Sequence, residues 1–79
     1  PYAWYNRGFV KCLLGDYWGG ISDFSRAIKL NPEFGEAYYN KGLILIFQQV
    51  KAVGCDDLSE AGELGVEDAY PVMKRFCSN

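Results

Sequence analysis

The feature that most constrains this chain is a self-similarity with a period of 34 residues. Shifting the sequence by this distance pairs many residues of similar character, as where Trp4 meets Tyr38. Among the identical pairs are Ala3 with Ala37, Tyr5 with Tyr39, Asn6 with Asn40, Gly8 with Gly42, Gly20 with Gly54, Asp23 with Asp57, Ser25 with Ser59, Ala27 with Ala61 and Leu30 with Leu64. Because these matches share one register and concentrate at aromatic, Gly and Ala positions, the sequence predicts two copies of one structural unit.

Each unit is predicted to consist of two helices. In the first unit, apolar residues recur at three- and four-residue spacing before and after Gly15-Asp16. Gly is typical of the residue that follows a helix, and Asp caps the first turn of the next one. Asn31-Pro32 ends the second helix, because proline disfavours helical geometry in the residue before it. The pattern therefore indicates a helix–turn–helix unit and an all-α fold.

The first unit has a characteristic residue at each of several positions: Ala3, Trp4, Tyr5, Asn6, Gly8, Gly15, Asp16, Tyr17, Gly20, Ile21, Phe24, Ala27, Ile28, Leu30, Asn31 and Pro32. This set resembles the tetratricopeptide repeat. The resemblance implies a fragment of a right-handed α-solenoid, with helix–turn–helix repeats at 1–34 and 35–65 and a capping helix at 66–79. That last segment resembles the closing helix of bacterial tetratricopeptide and Sel1-like arrays. Gly8 and Gly42 are expected to let the two helices of each repeat approach closely.

The turn of the second unit departs from the pattern. Gln49, Val50 and Lys51 stand where the first unit has Gly15, Asp16 and Tyr17, so neither Gly nor Pro marks this turn. A short turn is still the first interpretation. The alternative is one continuous helix over 36–64, which would open the hairpin and let two chains exchange helices.

The resemblance also implies a groove, because in this family the first helix of each repeat lines a concave surface where ligands lie. The corresponding residues are Tyr2, Tyr5, Asn6, Phe9, Cys12, Leu13, Glu36, Tyr39, Asn40, Leu43, Ile46 and Phe47. Helical geometry supports part of this set, since positions 2, 5, 6, 9 and 13 fall on one stripe. We expect the set to bind a peptide or a partner protein. The alternative is packing on each other, on the cap or on a neighbouring copy, which is favoured for Ile46 and Phe47.

Three cysteines, Cys12, Cys55 and Cys77, form no Cys-x-x-Cys pair. Cys55 is predicted near the start of one helix and Cys77 at the end of the next. If those helices run antiparallel about Gly65, the two thiols lie at the same end. Reduced and buried thiols are the first interpretation, and a Cys55–Cys77 disulfide in an oxidising compartment is the alternative.

Charge and composition exclude several classes of function. The eight Lys and Arg residues are scattered and the net charge is −2, so the chain lacks the clustered basic face that nucleic acid requires. The longest apolar run, 43–47, is far shorter than the roughly 18 residues of a membrane span, so no membrane insertion is expected. Without His, neither the common zinc sites nor a His-based catalytic triad can form. We therefore expect no metal, no cofactor and no enzymatic activity.

The leading hypothesis is thus a protein–protein interaction module. The alternative is a structural end-cap, or a self-associating segment that forms a homo-oligomer, of a larger repeat protein. The absence of an initiating Met suggests a piece of such a longer chain, and the compartment stays open between cytoplasm and periplasm. Trp18, beside two glycines, is expected to fold over the repeat surface, with a partner contact on the convex side as the alternative.

Overall fold

Five α-helices follow one another in the computed structural model, which describes residues 1–78. They are α1 (Tyr2–Leu13), α2 (Tyr17–Leu30), α3 (Gly35–Phe47), α4 (Lys51–Glu63) and α5 (Ala69–Phe76). The described residues contain no strand, and the predicted all-α fold is confirmed. Residue 79, the last of the predicted capping segment, lies outside the described residues. We call α1–α2 the first hairpin and α3–α4 the second hairpin; the division into repeats at residues 34 and 65 stays a prediction.

Glycines allow the two helices of each hairpin to pack with their backbones in contact. A Cβ atom added to Gly8 would lie 2.9 Å from the carbonyl oxygen of Gly20, and one added to Gly42 would lie 2.8 Å from that of Gly54. Real Cβ atoms do not approach this closely, so only glycine fits at these crossings. The prediction that Gly8 and Gly42 permit a close approach is confirmed.

Both hairpins turn within a few residues, so the alternative of a continuous helix over 36–64 is wrong. α3 ends at Phe47 and α4 begins at Lys51. In the first hairpin Gly15 takes the left-handed conformation with φ 88°, and in the second its equivalent Gln49 takes it with φ 69°. The second turn therefore has the same backbone shape as the first without the residue that adopts it most easily.

Two clusters of buried side chains lie in the core, one at each junction along the array. The first contains Ala27, Phe34 and Ala37, with Trp4, Tyr5 and Ile28 packed against it. It joins the first hairpin to the start of the second. The second contains Leu58, Ala61 and Ala69, with Tyr38, Tyr39, Leu43, Ile46, Val66, Val72, Met73 and Cys77 packed against it. It joins the second hairpin to α5, whose residues Ala69, Val72 and Met73 pack in this cluster.

A buried carboxylate lies between the helices of each hairpin at equivalent positions. Asp23 lies 3.0 Å from Arg7 Nε and 3.3 Å from Lys11 Nζ. Asp57 lies 3.5 Å from Lys41 Nζ alone, because the equivalent of Lys11 is the buried Leu45. Burial raises the pKa of Asp57, and Lys41 offsets only part of that rise. The second hairpin therefore holds its buried charge less well than the first.

Candidate protein-binding groove

An apolar pocket lies where the last turns of α1 and α3 meet the first turn of α2. Its volume is about 210 Å³, and its lining consists of Phe9, Cys12, Leu13, Tyr17, Phe24, Asn40, Leu43, Ile44 and Phe47. No charged residue lines it. Phe9, Leu13 and Phe47 are exposed at its edge, with 45 %, 73 % and 66 % of their surfaces accessible. We call this feature the apolar pocket.

The structure brings together six of the groove residues named from the sequence in this pocket. They are Phe9, Cys12, Leu13, Asn40, Leu43 and Phe47. Sequence reasoning missed Tyr17, Phe24 and Ile44, because it considered only one stripe on the first helix of each unit. The position of Tyr17 directly after the Gly15-Asp16 turn was the signal available for it, since a short turn returns the chain to the end of α1.

Tyr5 and Asn40 connect α1 to α3 across the groove. The side-chain amide of Asn40 donates a hydrogen bond to the hydroxyl of Tyr5 over 2.7 Å. The Tyr5 ring also packs on Phe34 and Phe24, with centroids 4.8 Å and 5.6 Å away. Burial and the nearby Glu36 raise the pKa of Tyr5, so its hydroxyl stays protonated at neutral pH. These two residues hold the walls of the groove at a set distance.

The groove, the glycine crossings and the repeated hairpin agree with the comparison to known proteins. The family model of the tetratricopeptide repeat matches residues 1–34. The chain belongs to the tetratricopeptide repeat family. It is 31 % identical over 74 residues to "Tetratricopeptide repeat protein 6" of Homo sapiens, an alignment that covers 94 % of this chain and 14 % of that protein. It is 32 % identical over 60 residues to "Photosystem I assembly protein Ycf3" of Acaryochloris marina (strain MBIC 11017), which covers 76 % of this chain and 36 % of that protein. No solved structure matches the chain significantly.

The chain therefore spans a seventh to about a third of the length of these tetratricopeptide repeat relatives. Repeats of this family generally mediate protein–protein interactions, and their proteins are typically adaptors without enzymatic activity. None of the five helices in residues 1–78 has the length and apolar character that crossing a bilayer demands. The likeness of 66–79 to a Sel1-like closing helix stays a prediction.

The remaining groove residues of this tetratricopeptide repeat chain lie outside the apolar pocket. The ring of Tyr2 packs on Phe34 with a centroid distance of 5.0 Å, and Asn6 is exposed. Tyr39 and Ile46 pack against the second core cluster, which for Ile46 is the packing interpretation that the sequence favoured. Phe47 is exposed and does not lie in the core. The structure places Glu36 beside the α4–α5 turn, where it lines a shallow depression with Leu64–Asp68.

The three cysteines have different surroundings. Cys12 has a free thiol and is half-buried in the wall of the apolar pocket. Burial, helped by the nearby Asp16, raises its pKa, so it is a protonated and weakly nucleophilic thiol at neutral pH. Cys55 in α4 and Cys77 after α5 lie with their sulfur atoms at bonding distance and their Cα atoms 5.9 Å apart, a separation that suits a disulfide. Oxidation of this pair in solution stays a prediction.

Within residues 1–78, no three or more His, Cys, Asp or Glu side chains are arranged to hold a metal ion. Trp18 has 56 % of its surface exposed. This exposure is greater than expected for a side chain that folds over the repeat surface.

Proposed function

We propose that this chain is a protein-binding module that holds a peptide segment of its partner in the groove between α1 and α3. The apolar pocket carries this proposal. It opens on the face where the sequence predicts ligands, and exposed side chains such as Leu13 and Phe47 surround it. One relative is named for assembling photosystem I, and a module that holds other proteins suits a chain similar to it.

The size and lining of the pocket indicate what it holds. Its volume of about 210 Å³ is below the roughly 300–1,000 Å³ typical of small-molecule sites. One large aliphatic or aromatic side chain is the occupant that fits. Burying such a side chain contributes roughly 1.5–3 kcal/mol, which is the scale of an interface hot spot.

The absence of charge from the lining sets the polarity of that anchor. No lysine or arginine lines the pocket, so a carboxylate entering it would lose its water without gaining a counter-ion. Asn40 is the lining residue with a side-chain amide; its NH₂ donates to Tyr5, and its carbonyl oxygen can accept a hydrogen bond from a peptide N–H. We therefore expect an apolar anchor with the peptide main chain running beside Asn40.

A pair of adjacent leucines provides the test. Leu13 lines the apolar pocket, whereas Leu14 is also exposed and lies outside its lining. A displayed library of random peptides would be selected on the wild-type chain, and the affinities of the selected peptides would be measured for Leu13→Glu and Leu14→Glu. We expect at least a tenfold loss for Leu13→Glu, since about 1.4 kcal/mol corresponds to that factor, and little change for Leu14→Glu.

Cys12 offers a second readout that needs no substitution. A bound anchor should cover its thiol and slow its alkylation by a maleimide, in proportion to the fraction of chain bound. Peptides that bind with equal affinity to both glutamate variants and leave Cys12 reactive would place the binding surface elsewhere. A library that yields no peptide would favour the structural end-cap.

A further inference from the structure

The exposed side of α2 and α4 carries opposite charges at equivalent positions of the two hairpins. Arg26 and Lys29 in α2 correspond, 34 residues later, to Glu60 and Glu63 in α4. Glu60 is half-buried and the other three are exposed. Within residues 1–78 none of the four forms an ion pair. We call this surface the outer face; it combines a positive column on α2 with a negative column on α4.

The two columns also differ in the size of their side chains. Trp18 on α2 has 56 % of its surface exposed, and its equivalent on α4 is the small and exposed Ala52. Beside Ala52, Val53 has 47 % of its surface exposed. At the other end of the positive column, the Arg26 guanidinium lies 5.0 Å from the centre of the Trp4 ring. The outer face therefore offers apolar area as well as charge.

We propose that the outer face binds a second copy of this chain, in a two-fold dimer with α2 of each copy against α4 of the other. If α2 and α4 stack as equivalent helices of successive units, they run in the same direction and residues 34 apart lie at the same level. A two-fold axis that runs along the helices, midway between α2 and α4, then places each residue opposite its own repeat equivalent in the partner copy.

That arrangement pairs each of these four charges with its opposite. Lys29 of one copy faces Glu63 of the second, and Arg26 faces Glu60. The bulky Trp18 faces the small Ala52, so the columns are complementary in shape as well as charge. By symmetry each of these contacts forms twice. A uniformly charged partner would be attracted by one column and repelled by the other. A second copy of the chain carries both signs in the matching arrangement, so it is the occupant that fits.

The size of the face sets the strength of this dimer. Two helices of about 20 Å length and about 10 Å width give roughly 400 Å² per copy, or about 800 Å² in total. That is below the roughly 1,200 Å² of stable complexes, so the dimer is weak and in rapid exchange. Because its charges are near solvent, it should dissociate further in about 1 M NaCl, where the Debye length is about 3 Å.

Charge exchange between two positions tests the proposal. Sedimentation equilibrium from micromolar to millimolar chain would measure the dimer dissociation constant at low salt. Lys29→Glu and Glu63→Lys should each weaken the dimer about tenfold, because each replaces two attractions by two repulsions. The double variant Lys29→Glu/Glu63→Lys should recover the wild-type value. Mixing the two single variants should also produce a heterodimer, since the exchanged pair then has opposite charges at both contacts.

Control variants with the same change of net charge lie away from the outer face. Lys74→Glu in α5 and Glu33→Lys before α3 are exposed and should leave the dissociation constant unchanged; circular dichroism would verify that every variant is helical. A wild-type chain that stays monomeric up to millimolar concentration at low salt overturns the proposal. So does a dimer that neither single reversal weakens, or one that the mixture fails to restore.

Discussion

Gln49 is a residue whose backbone conformation does not suit its side chain. It takes φ 69°, the left-handed conformation that its equivalent Gly15 takes with φ 88°. For an L-residue with a Cβ atom this conformation costs roughly 1–2 kcal/mol. Replacement by glycine removes that cost, but glycine also increases the disorder of the unfolded chain, which offsets part of the gain in stability. We expect Gln49→Gly to raise the free energy of unfolding by about 0.5–1 kcal/mol, measured by urea denaturation.

The neighbouring Gln48 provides the matched control. It ends α3 with φ −86°, a conformation open to any residue, so Gln48→Gly should add only disorder to the unfolded state and lower the free energy of unfolding. A Gln49→Gly variant no more stable than wild type would show that Gln49 bears no strain.

Asp57 is the second residue with an energetic conflict. Burial raises its pKa above the ordinary value of 3.8, despite Lys41. A carboxyl with a raised pKa in the folded state binds its proton more tightly when folded. Its contribution to stability is therefore present below the unfolded pKa and is lost as pH rises through the folded pKa. Asp57→Asn, which cannot ionise, should gain stability relative to wild type as pH rises from about 3 to about 7.

Thermal unfolding midpoints of both proteins across that pH range would measure the effect. Glu33→Gln removes an exposed carboxylate outside the helices and serves as the control for the loss of one negative charge. If the Asp57→Asn variant instead becomes less stable relative to wild type as pH rises, Lys41 stabilises the ionised carboxylate more than burial destabilises it.

Among the elements, α5 is the one that a Cys55–Cys77 disulfide would stabilise most. It has eight residues, and isolated helices of this length are unstable in water. Its apolar side packs on the second core cluster, and Cys77 at its end lies against Cys55 in α4. If the pair is oxidised, it closes a loop with a sequence separation of 22 and contributes about 3 kcal/mol.

Reduction should therefore expose α5 while the first hairpin stays folded. Amide hydrogen exchange before and after treatment with a dithiol reductant should show lost protection over 69–76 and little change in α1 and α2. Cys77→Ser should behave as the reduced chain, and Cys12→Ser, which leaves the pair intact, as wild type. Three thiols reactive in the denatured, unreduced protein would show that the pair is not oxidised.

At the same scale, the sequence predicted those elements whose local chemistry is strong. Gly15-Asp16 marked the first turn because each residue has a local task, and Asp16 does accept a hydrogen bond from the Gly19 amide over 3.0 Å. The second turn left two interpretations, because nothing in Gln49 itself favours a left-handed residue. Gly42 and Gly54, which permit the close approach of α3 and α4, lie several residues away from this turn.

The candidate site shows the same limit at the scale of the whole molecule. A helical stripe was enough to place Phe9 and Leu13 on the groove. The resemblance to the family assigned Glu36 to the same surface by its position, and that carries no information about the α4–α5 turn that lies beside this residue. Phe24 was missed as a lining residue, since its contribution depends on how α2 is seated under α1 and α3.

The two hairpins differ in the number of features that stabilise them, so the two ends of the molecule are not equally stable. The first has a glycine turn, a capping aspartate on α2 and two cations around its buried carboxylate. The second has a strained turn, no side-chain cap on α4 and one cation. Since each unit of a repeat array is supported only by its neighbours, the chain with Cys55 and Cys77 reduced should open from its carboxyl end inward. Under tension or in the presence of a protease, the first hairpin would be the last part to survive.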